Sequence, residues 1–383
     1  MIDFSTIRQF NFPTVIRFGA GVINELPDHL LSHGFTKPLL VTDPTIAGLD
    51  FFKKIVALLE TKNLSVEVFS DIHKNPIKQD VLKGGDAFAA AERDCIVGIG
   101  GGAALDVARA IVLRIHHRRD LFDYDDLIGG DKYVTEDVPY FITVPTTSGT
   151  GSEVGRSAII ADDVTHQKKI LFSPKLMAKI VFADPMLTME LPPFITAATG
   201  MDALTHNLEA FLVNSFHPMC DGIALEGIRL INESIEKAVH RPDLESRSKM
   251  LMASMMGAVA FQKGLGVVHS LAHPMSSLLD THHGLANAVN LPYGMRFNSS
   301  VSNDKFVKIA HAMNLNDTRA EAVVNHLFEL NNTLKLPLKL SDVGVKAEHL
   351  DTLSELALAD FCHPSNPRPV SKEDFRALYE EAL

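Results

Sequence analysis

The sequence predicts an α/β domain built on a parallel sheet, followed by an all-α domain. Three observations carry this. Short apolar, β-branched runs alternate with helical stretches through the first half, the rhythm of a parallel sheet covered by helices. Near Pro185 the rhythm changes, and apolar residues then recur at three- and four-residue spacing, as amphipathic helices require. A glycine cluster, Gly100-Gly101-Gly102, stands between a predicted strand and a predicted helix, where a backbone can approach a ligand. The domains are placed at 1–187 and 188–383.

In chain order, Thr14–Gly19 reads as a strand ending at a glycine turn, and Pro38–Asp43 as an apolar strand ending on an acid. Phe51, Ile55, Leu58 and Leu59 give residues 46–61 a helical face. Val66–Phe69 is the next strand, 77–91 a helix, and Cys95–Ile99 the fourth strand, followed by the glycines and a helix to Leu113. Phe141–Val144 and Lys179–Phe182 read as further strands, with a small hairpin near Ala158–Ile160 between them. Beyond the boundary, helices are predicted over about 194–213, 218–239, 244–262, 265–279, 304–313, 318–334, 347–358 and 372–382. Pro192, Pro193, Pro218, Pro242 and Pro292 are read as lying near helix ends, where proline is tolerated.

Composition excludes several classes of function. The chain has 383 residues, 46% of them hydrophobic and 22% charged, so two domains with sizeable cores are expected. No apolar run is long enough to span a bilayer, and the N-terminus lacks a basic region followed by an apolar core, which argues against a membrane partner or secretion. Three cysteines cannot close a disulfide framework, and this fits the cytoplasm. The net charge is −11 and no Lys/Arg cluster interleaves with aromatics, which argues against a phosphate-backbone binder, so nucleic acid is not an expected partner. The 17 histidines are the unusual count, and position must say which of them act.

The glycine loop satisfies Gly-x-Gly-x-x-Ala over Gly98–Ala103. Glycines let a pyrophosphate approach, and the following helix N-terminus offers free N–H groups and a positive dipole end. The loop follows the fourth strand, however, and the best-placed acid, Asp43, lies upstream, unlike the usual dinucleotide fingerprint. A tight strand–helix turn is the plainer reading. Asp43 can accept hydrogen bonds from ribose hydroxyls and repel a 2′-phosphate; a helix cap before Pro44 is the commoner fate of such a residue. The segment Pro145–Glu153, rich in Thr, Ser and Gly, suits a diphosphate or ribose, though generic loops share that composition.

The histidine pattern is more specific. Asp202 and His206 are spaced i,i+4, and so are His269 and His273; helical spacing stacks each pair on one face. With His283 they offer imidazoles and one carboxylate to a borderline divalent ion such as Fe²⁺ or Zn²⁺. The plainer reading makes His269 and His273 satisfied core residues. Five groups exceed the four a simple site needs, and spacing does not say which is left over.

These segments together resemble the iron-dependent (group III) alcohol dehydrogenases over nearly the full chain. The motifs are Gly100–Asp106, Pro145–Glu153, Gly200–His206, His269–Pro274 and His283-Gly284. The stretch Asp360–Arg368 is also similar to the lactaldehyde reductase (propanediol oxidoreductase) branch. The resemblance implies an α/β dinucleotide-binding domain, an all-helical metal and catalytic domain, and an active site in the cleft. It implies a metal at Asp202, His206, His269 and His283, with His273 beside the nicotinamide as a catalytic residue and His282 outside the pattern. It implies NAD contacts at Asp43, Asn75, Gly100, Gly101, Gly102, Thr146, Thr147, Lys168 and Leu187. Ala103 stands where serine is usual, and Arg109 where lysine is usual.

The expected function is therefore metal-dependent, NAD(H)-linked interconversion of small primary alcohols or diols and their aldehydes, with Fe²⁺ favoured over Zn²⁺, in a homodimer or larger homo-oligomer. Hydroxy acids rank lower, because no Lys/Arg cluster for a carboxylate is evident. Three rivals fit part of the pattern: a dehydroquinate-synthase-like lyase, an NADP-preferring enzyme on the same scaffold, and a non-catalytic metal- or nucleotide-binding protein. If Asp43 repels a 2′-phosphate, Asp43→Gly raises kcat/KM for NADP relative to NAD by about tenfold, equivalent to ~1.4 kcal/mol. An unchanged ratio in steady-state kinetics rejects that role.

Overall fold

A computed structural model of the chain describes residue 12 and residues 14–163 and 167–383. It divides into two units: one runs to Thr147 and resumes over Gly151–Glu190, and the other joins Ser148–Thr150 to Leu191–Leu383.

The first unit is built on strands β1 (Val15–Phe18), β2 (Pro38–Val41), β3 (Glu67–Phe69), β4 (Cys95–Gly100), β5 (Tyr140–Pro145) and, later in the chain, β8 (Ile180–Ala183). They form one parallel sheet in the order β1-β8-β5-β4-β2-β3. Every residue of β2, β4 and β8 is buried, which is why these strands read as unbroken apolar runs. Alternate side chains serve opposite faces. Leu39, Val41, Ile96 and Phe141 pack with α4 (Lys78–Ala90) and α5 (Gly102–His116), whereas Leu40, Val97, Ile99 and Val144 pack with α1 (Leu26–Ser32) and α3 (Asp50–Thr61). The single helix predicted over 46–61 is two, because α2 (Pro44–Ala47) ends at Gly48 before α3 begins. The hairpin predicted near Ala158 is β6 (Ser157–Ala161) paired antiparallel with β7 (Lys168–Phe172); residues 164–166 lie outside the described residues.

A buried ion pair braces this unit. Arg109 of α5 is fully buried. Its guanidinium donates to Asp106 at 3.1 Å, to the Ser152 hydroxyl at 2.9 Å, to the Ser157 carbonyl at 2.7 Å and to the Ser152 carbonyl. Asp106 also accepts from the Ser152 hydroxyl at 2.6 Å and the Ile159 N–H at 3.0 Å. Arginine thus ties α5 to β6 and to the end of the Ser/Gly-rich loop through a fork of donors that a lysine ammonium lacks.

The second unit is helical: α6 (Pro193–Leu212), α7 (Pro218–His240), α8 (Leu244–Ala260), α9 (Val267–Leu279), α10 (His283–Ser299), α11 (Asn303–Ala312), α12 (Ala320–Thr333), α13 (Leu350–Leu358) and α14 (Lys372–Ala382). α6 is buried continuously from Thr196 to Leu212, as a helix enclosed by others must be. α10 is absent from the predicted elements. It holds Gly284, Gly294 and Pro292 inside the helix, and everything from Gly284 to Met295 is buried. Weak propensity and burial all round erase both helix signals. Pro292 therefore lies within a helix rather than near its end, and Pro274 likewise lies within α9. No single described helix is long and apolar enough to cross a membrane; the bent pair Leu244–Lys263 and Val267–Leu279 passes by length and composition only.

Gly284 seats α10 on α6. A Cβ there would stand 2.4 Å from the Ala198 carbonyl oxygen and 3.3 Å from Asp202 Cβ. Gly284→Ala is expected to lower stability by about 1–3 kcal/mol, the cost of overpacking a tight contact. Arg109→Leu, which strands a buried carboxylate, is expected to cost about 3–5 kcal/mol. Urea unfolding checks both, and wild-type midpoints would refute the packing and pairing accounts respectively.

Candidate active site

In the first unit the order β4-β2-β3 on one side and β4-β5-β8 on the other puts a topological switch point between β2 and β4. Ligands of open α/β sheets bind at the carboxyl ends of strands at such a point. Asp43 follows β2 there, and Gly100–Gly102 close β4 and open α5. Gly100 has φ +156°, and a Cβ on it would meet the Ala104 Cβ at 2.6 Å and Asp43 Oδ2 at 3.9 Å. Asp43 caps α2: its Oδ1 accepts the Thr45 and Ile46 N–H groups, both at 2.9 Å. Capping and ligand contact are compatible, because Oδ2 is the oxygen that lies beside the glycine loop.

The loops after β4 and β5 meet. The Thr146 N–H donates to the Gly100 carbonyl at 3.0 Å, and the Thr147 hydroxyl lies 3.2 Å from where a Gly101 Cβ would stand. Glycine at 101 therefore makes room for Thr147. Ala161 pairs with Ile77 on one side and with Lys168 on the other, so the segment that follows Asn75 and the strand that begins at Lys168 flank one strand. Leu187 is buried in the apolar cluster that holds Ile46 and Ile99, so it backs this face from within.

In the second unit three helices converge. α6 brings Asp202 and His206, α9 brings His269 and His273, and α10 begins at His283. Asp202 Oδ1 lies 3.4 Å from His283 Nε2 and 3.9 Å from His269 Nε2. Ligand atoms of these three residues all fall within 4.8 Å of one another. His206 stacks on His269, with ring centroids 4.7 Å apart and planes at 24°, and its Nδ1 is buried without a hydrogen-bond partner. Burial pushes the His206 pKa down to about 4, against the opposing pull of the Asp202 charge. It is thus neutral at physiological pH, the form a metal requires. Asp202 and His269 are sealed at 2% and 1% side-chain exposure, whereas His283 keeps 27%, so the cluster opens on the His283 side.

Three polar residues complete the site, none of them singled out as a site residue from sequence. Glu209, on α6, accepts the Val268 N–H at 2.7 Å and the His269 Nδ1–H at 2.6 Å. Burial lowers the His269 pKa, but the Glu209 hydrogen bond and charge, with the Asp202 charge, outweigh it and raise it. With its Nδ1 proton committed to Glu209, His269 presents the Nε2 lone pair to Asp202 and His283. Asn287 stands one turn after His283 and donates to Asp202 Oδ1 at 2.7 Å. Asp360 pairs with His273 Nδ1 at 2.7 Å, and accepts the Ser270 hydroxyl at 2.6 Å and the Cys362 N–H at 2.9 Å. Burial works to raise the Asp360 pKa, but the His273 charge and these hydrogen bonds hold it well below the usual carboxylate range. His273 itself stacks on His283 at 5.3 Å and leans on Phe361 at 5.4 Å. The available signal for Glu209 was its place seven residues after Asp202 on the same face of an apolar helix.

Comparison with known proteins identifies the family. Residues 13–185 match the family described as iron-containing alcohol dehydrogenase, and residues 196–383 match the C-terminal part of the Fe-containing alcohol dehydrogenase family. A 4-hydroxybutyrate dehydrogenase of Cupriavidus necator is 37% identical over 97% of this chain and 98% of its own length. An NAD-dependent methanol dehydrogenase of Bacillus methanolicus is 32% identical over 98% of this chain and all of its own. The crystal structure of a 1,3-propanediol oxidoreductase superposes with a TM-score of 0.94 at 33% identity, covering 98% of this chain and 100% of that one. The two matched segments, the shared fold and the near-full-length relatives make this chain a member of the iron-containing alcohol dehydrogenase family.

Proposed function

We propose that the chain is an NAD(H)-dependent, metal-dependent dehydrogenase that interconverts small primary alcohols or diols and their aldehydes. The convergence of Asp202 Oδ1 with the Nε2 atoms of His269 and His283 carries this reading. Asp202 is buried with no Lys or Arg in ion-pair distance among the described residues. A buried carboxylate needs a compensating charge, and a carboxylate among imidazoles suits Fe²⁺ or Zn²⁺. We assign Asp202, His206, His269 and His283 to that ion. When bound, the ion supplies Lewis acidity toward an alcohol or carbonyl oxygen, and the nicotinamide supplies the hydride exchange.

The chain's own residues hold and orient. Glu209 fixes His269 with Nε2 inward, an arrangement common to metal-bound histidines. Asp360 holds the Nδ1 edge of His273, leaving Nε2 as the edge that can take and pass on a proton. Because the His273 ring stacks on His283, we assign it the movement of the substrate proton. In the first unit, the N–H groups at the start of α5 and the Thr146 and Thr147 loop suit a pyrophosphate. Asp43 Oδ2 suits ribose hydroxyls and disfavours the 2′-phosphate of NADP. Asn75, Lys168 and Leu187 complete the proposed cofactor set. Among the described residues, no Lys/Arg cluster at the histidine site favours the lyase alternative.

The named activities of the three relatives share one feature, a terminal primary hydroxyl, and that is the substrate group we propose. The relative named for 4-hydroxybutyrate brings an ω-hydroxy acid into the range. The three free, buried cysteines support a reducing, cytoplasmic setting. Val15 and Phe18 on the edge strand β1 are 60% and 38% exposed, which supports a homodimer or larger homo-oligomer. His206→Ala tests the assignment. Bound metal per chain and NADH formation at 340 nm are expected to fall together, the rate by about a hundredfold or more, as loss of several kcal/mol of Lewis-acid stabilisation implies. Full metal content with full activity would remove His206 from the site.

A further inference from the structure

We infer that Asn287 is a positioning residue of the proposed metal centre: its amide donor holds Asp202 Oδ1 so that the carboxylate faces the Nε2 atoms of His269 and His283. The inference rests on the metal reading above and adds to it a residue outside the ligand set.

The geometry is specific. Asn287 Nδ2 lies 2.7 Å from Asp202 Oδ1, 3.2 Å from His283 Nε2 and 3.4 Å from His269 Nε2. One nitrogen thus touches the three atoms that face one another across the cluster. The orientation of the amide follows from chemistry. An ionised carboxylate only accepts hydrogen bonds, so the NH₂ group, not the carbonyl oxygen, must face Asp202. The His269 proton is committed to Glu209 through Nδ1, so its Nε2 is an acceptor as well. The second N–H can be given to His283 Nε2 in the metal-free chain, a contact that an ion on that lone pair would replace. A carboxylate oxygen has a second lone pair, so Asp202 Oδ1 can keep the Asn287 bond and still bind a cation, whereas an imidazole Nε2 has one lone pair and would exchange the amide for the ion.

Two further observations support a dedicated role. Asn287 is fully buried, and its Oδ1 has no hydrogen-bond partner. A buried orphan carbonyl is costly and uncommon, so the packing sacrifices one end of the amide to aim the other. The residue also sits on α10 one turn after His283, both on the face turned toward α6. The helix that delivers a ligand therefore also delivers the donor that orients its neighbours. Aspartate at 287 would have the same shape but would set a second negative charge against Asp202.

The test uses the full chain stripped of metal by chelation. Zn²⁺ affinity is measured by competition with a chromophoric chelator, and Co²⁺ is added to read the visible d–d spectrum, which reports ligand geometry. Asn287→Leu keeps the shape and removes the donor; Asn287→Ser is smaller and guards against failure of the leucine variant to fold, which far-UV circular dichroism checks. The expected result is a Kd weakened by about 10–100-fold, the range for loss of an outer hydrogen bond to a metal ligand, with an altered Co²⁺ spectrum. A folded variant with wild-type Kd and wild-type spectrum overturns the role of Asn287 alone. Failure of the wild-type chain to take up either ion overturns the metal reading, and this inference with it.

Discussion

The histidine site depends first on one buried carboxylate. Glu209 reaches from α6 to the start of α9, where one oxygen takes a backbone N–H and the other takes the His269 ring proton. It therefore caps a helix, ties two helices together and selects a tautomer at once. A negative charge at a helix N-terminus is favoured by the unpaired N–H groups and the helix dipole. The approach is possible because residue 266 is glycine: a Cβ there would lie 2.9 Å from Glu209 Oε1. His269 is thereby fixed before any ion is considered, and the other ligand atoms are arranged around it.

The two units balance buried acids differently. In the first, Asp106 meets the guanidinium of Arg109, and the pair serves as an internal strut. In the second, Asp202 and Glu209 lie on one helix with no Lys or Arg in ion-pair distance among the described residues; their neighbours are imidazoles, an amide and backbone N–H groups. The first arrangement is closed and structural. The second leaves acceptor atoms facing one another, a surplus that a divalent cation would balance. This contrast, more than the number of histidines, separates a site from a core.

The parallel sheet was legible from sequence because β2, β4 and β8 are buried on both faces, and such strands advertise themselves as apolar runs. The helices α6 to α9 were legible within a few residues of their ends. α10 was not, because burial on all sides removes the amphipathic period, and Gly284, Pro292 and Gly294 lower the propensity. That omission mattered: α10 carries both His283 and Asn287, so the histidine was read from its motif while its partner was hidden. Asp43 shows the opposite case, where two readings of one residue are compatible, since Oδ1 caps a helix and Oδ2 lies at the glycine loop. Glu209 offered only its place seven residues after Asp202, and Asp360 was invisible to spacing. They act through residues 60 and 87 positions away, and only the packing of α6, α9 and the C-terminal segment brings them in. The substitution of arginine for lysine at 109, recorded from sequence as a departure, proves to be a buried brace with several acceptors.

If Asp202, His206, His269 and His283 hold one divalent ion, alcohol oxidation by this chain depends on it. The most direct measurement is an anaerobic titration of metal-stripped chain with Fe²⁺, and in parallel Zn²⁺, in the presence of NAD and a primary alcohol, with NADH followed at 340 nm. Negligible NADH formation is expected without metal, with a rise as metal is added and a plateau at one ion per chain. Full NADH formation by the stripped chain, or none at any metal level with any primary alcohol or diol, would contradict it.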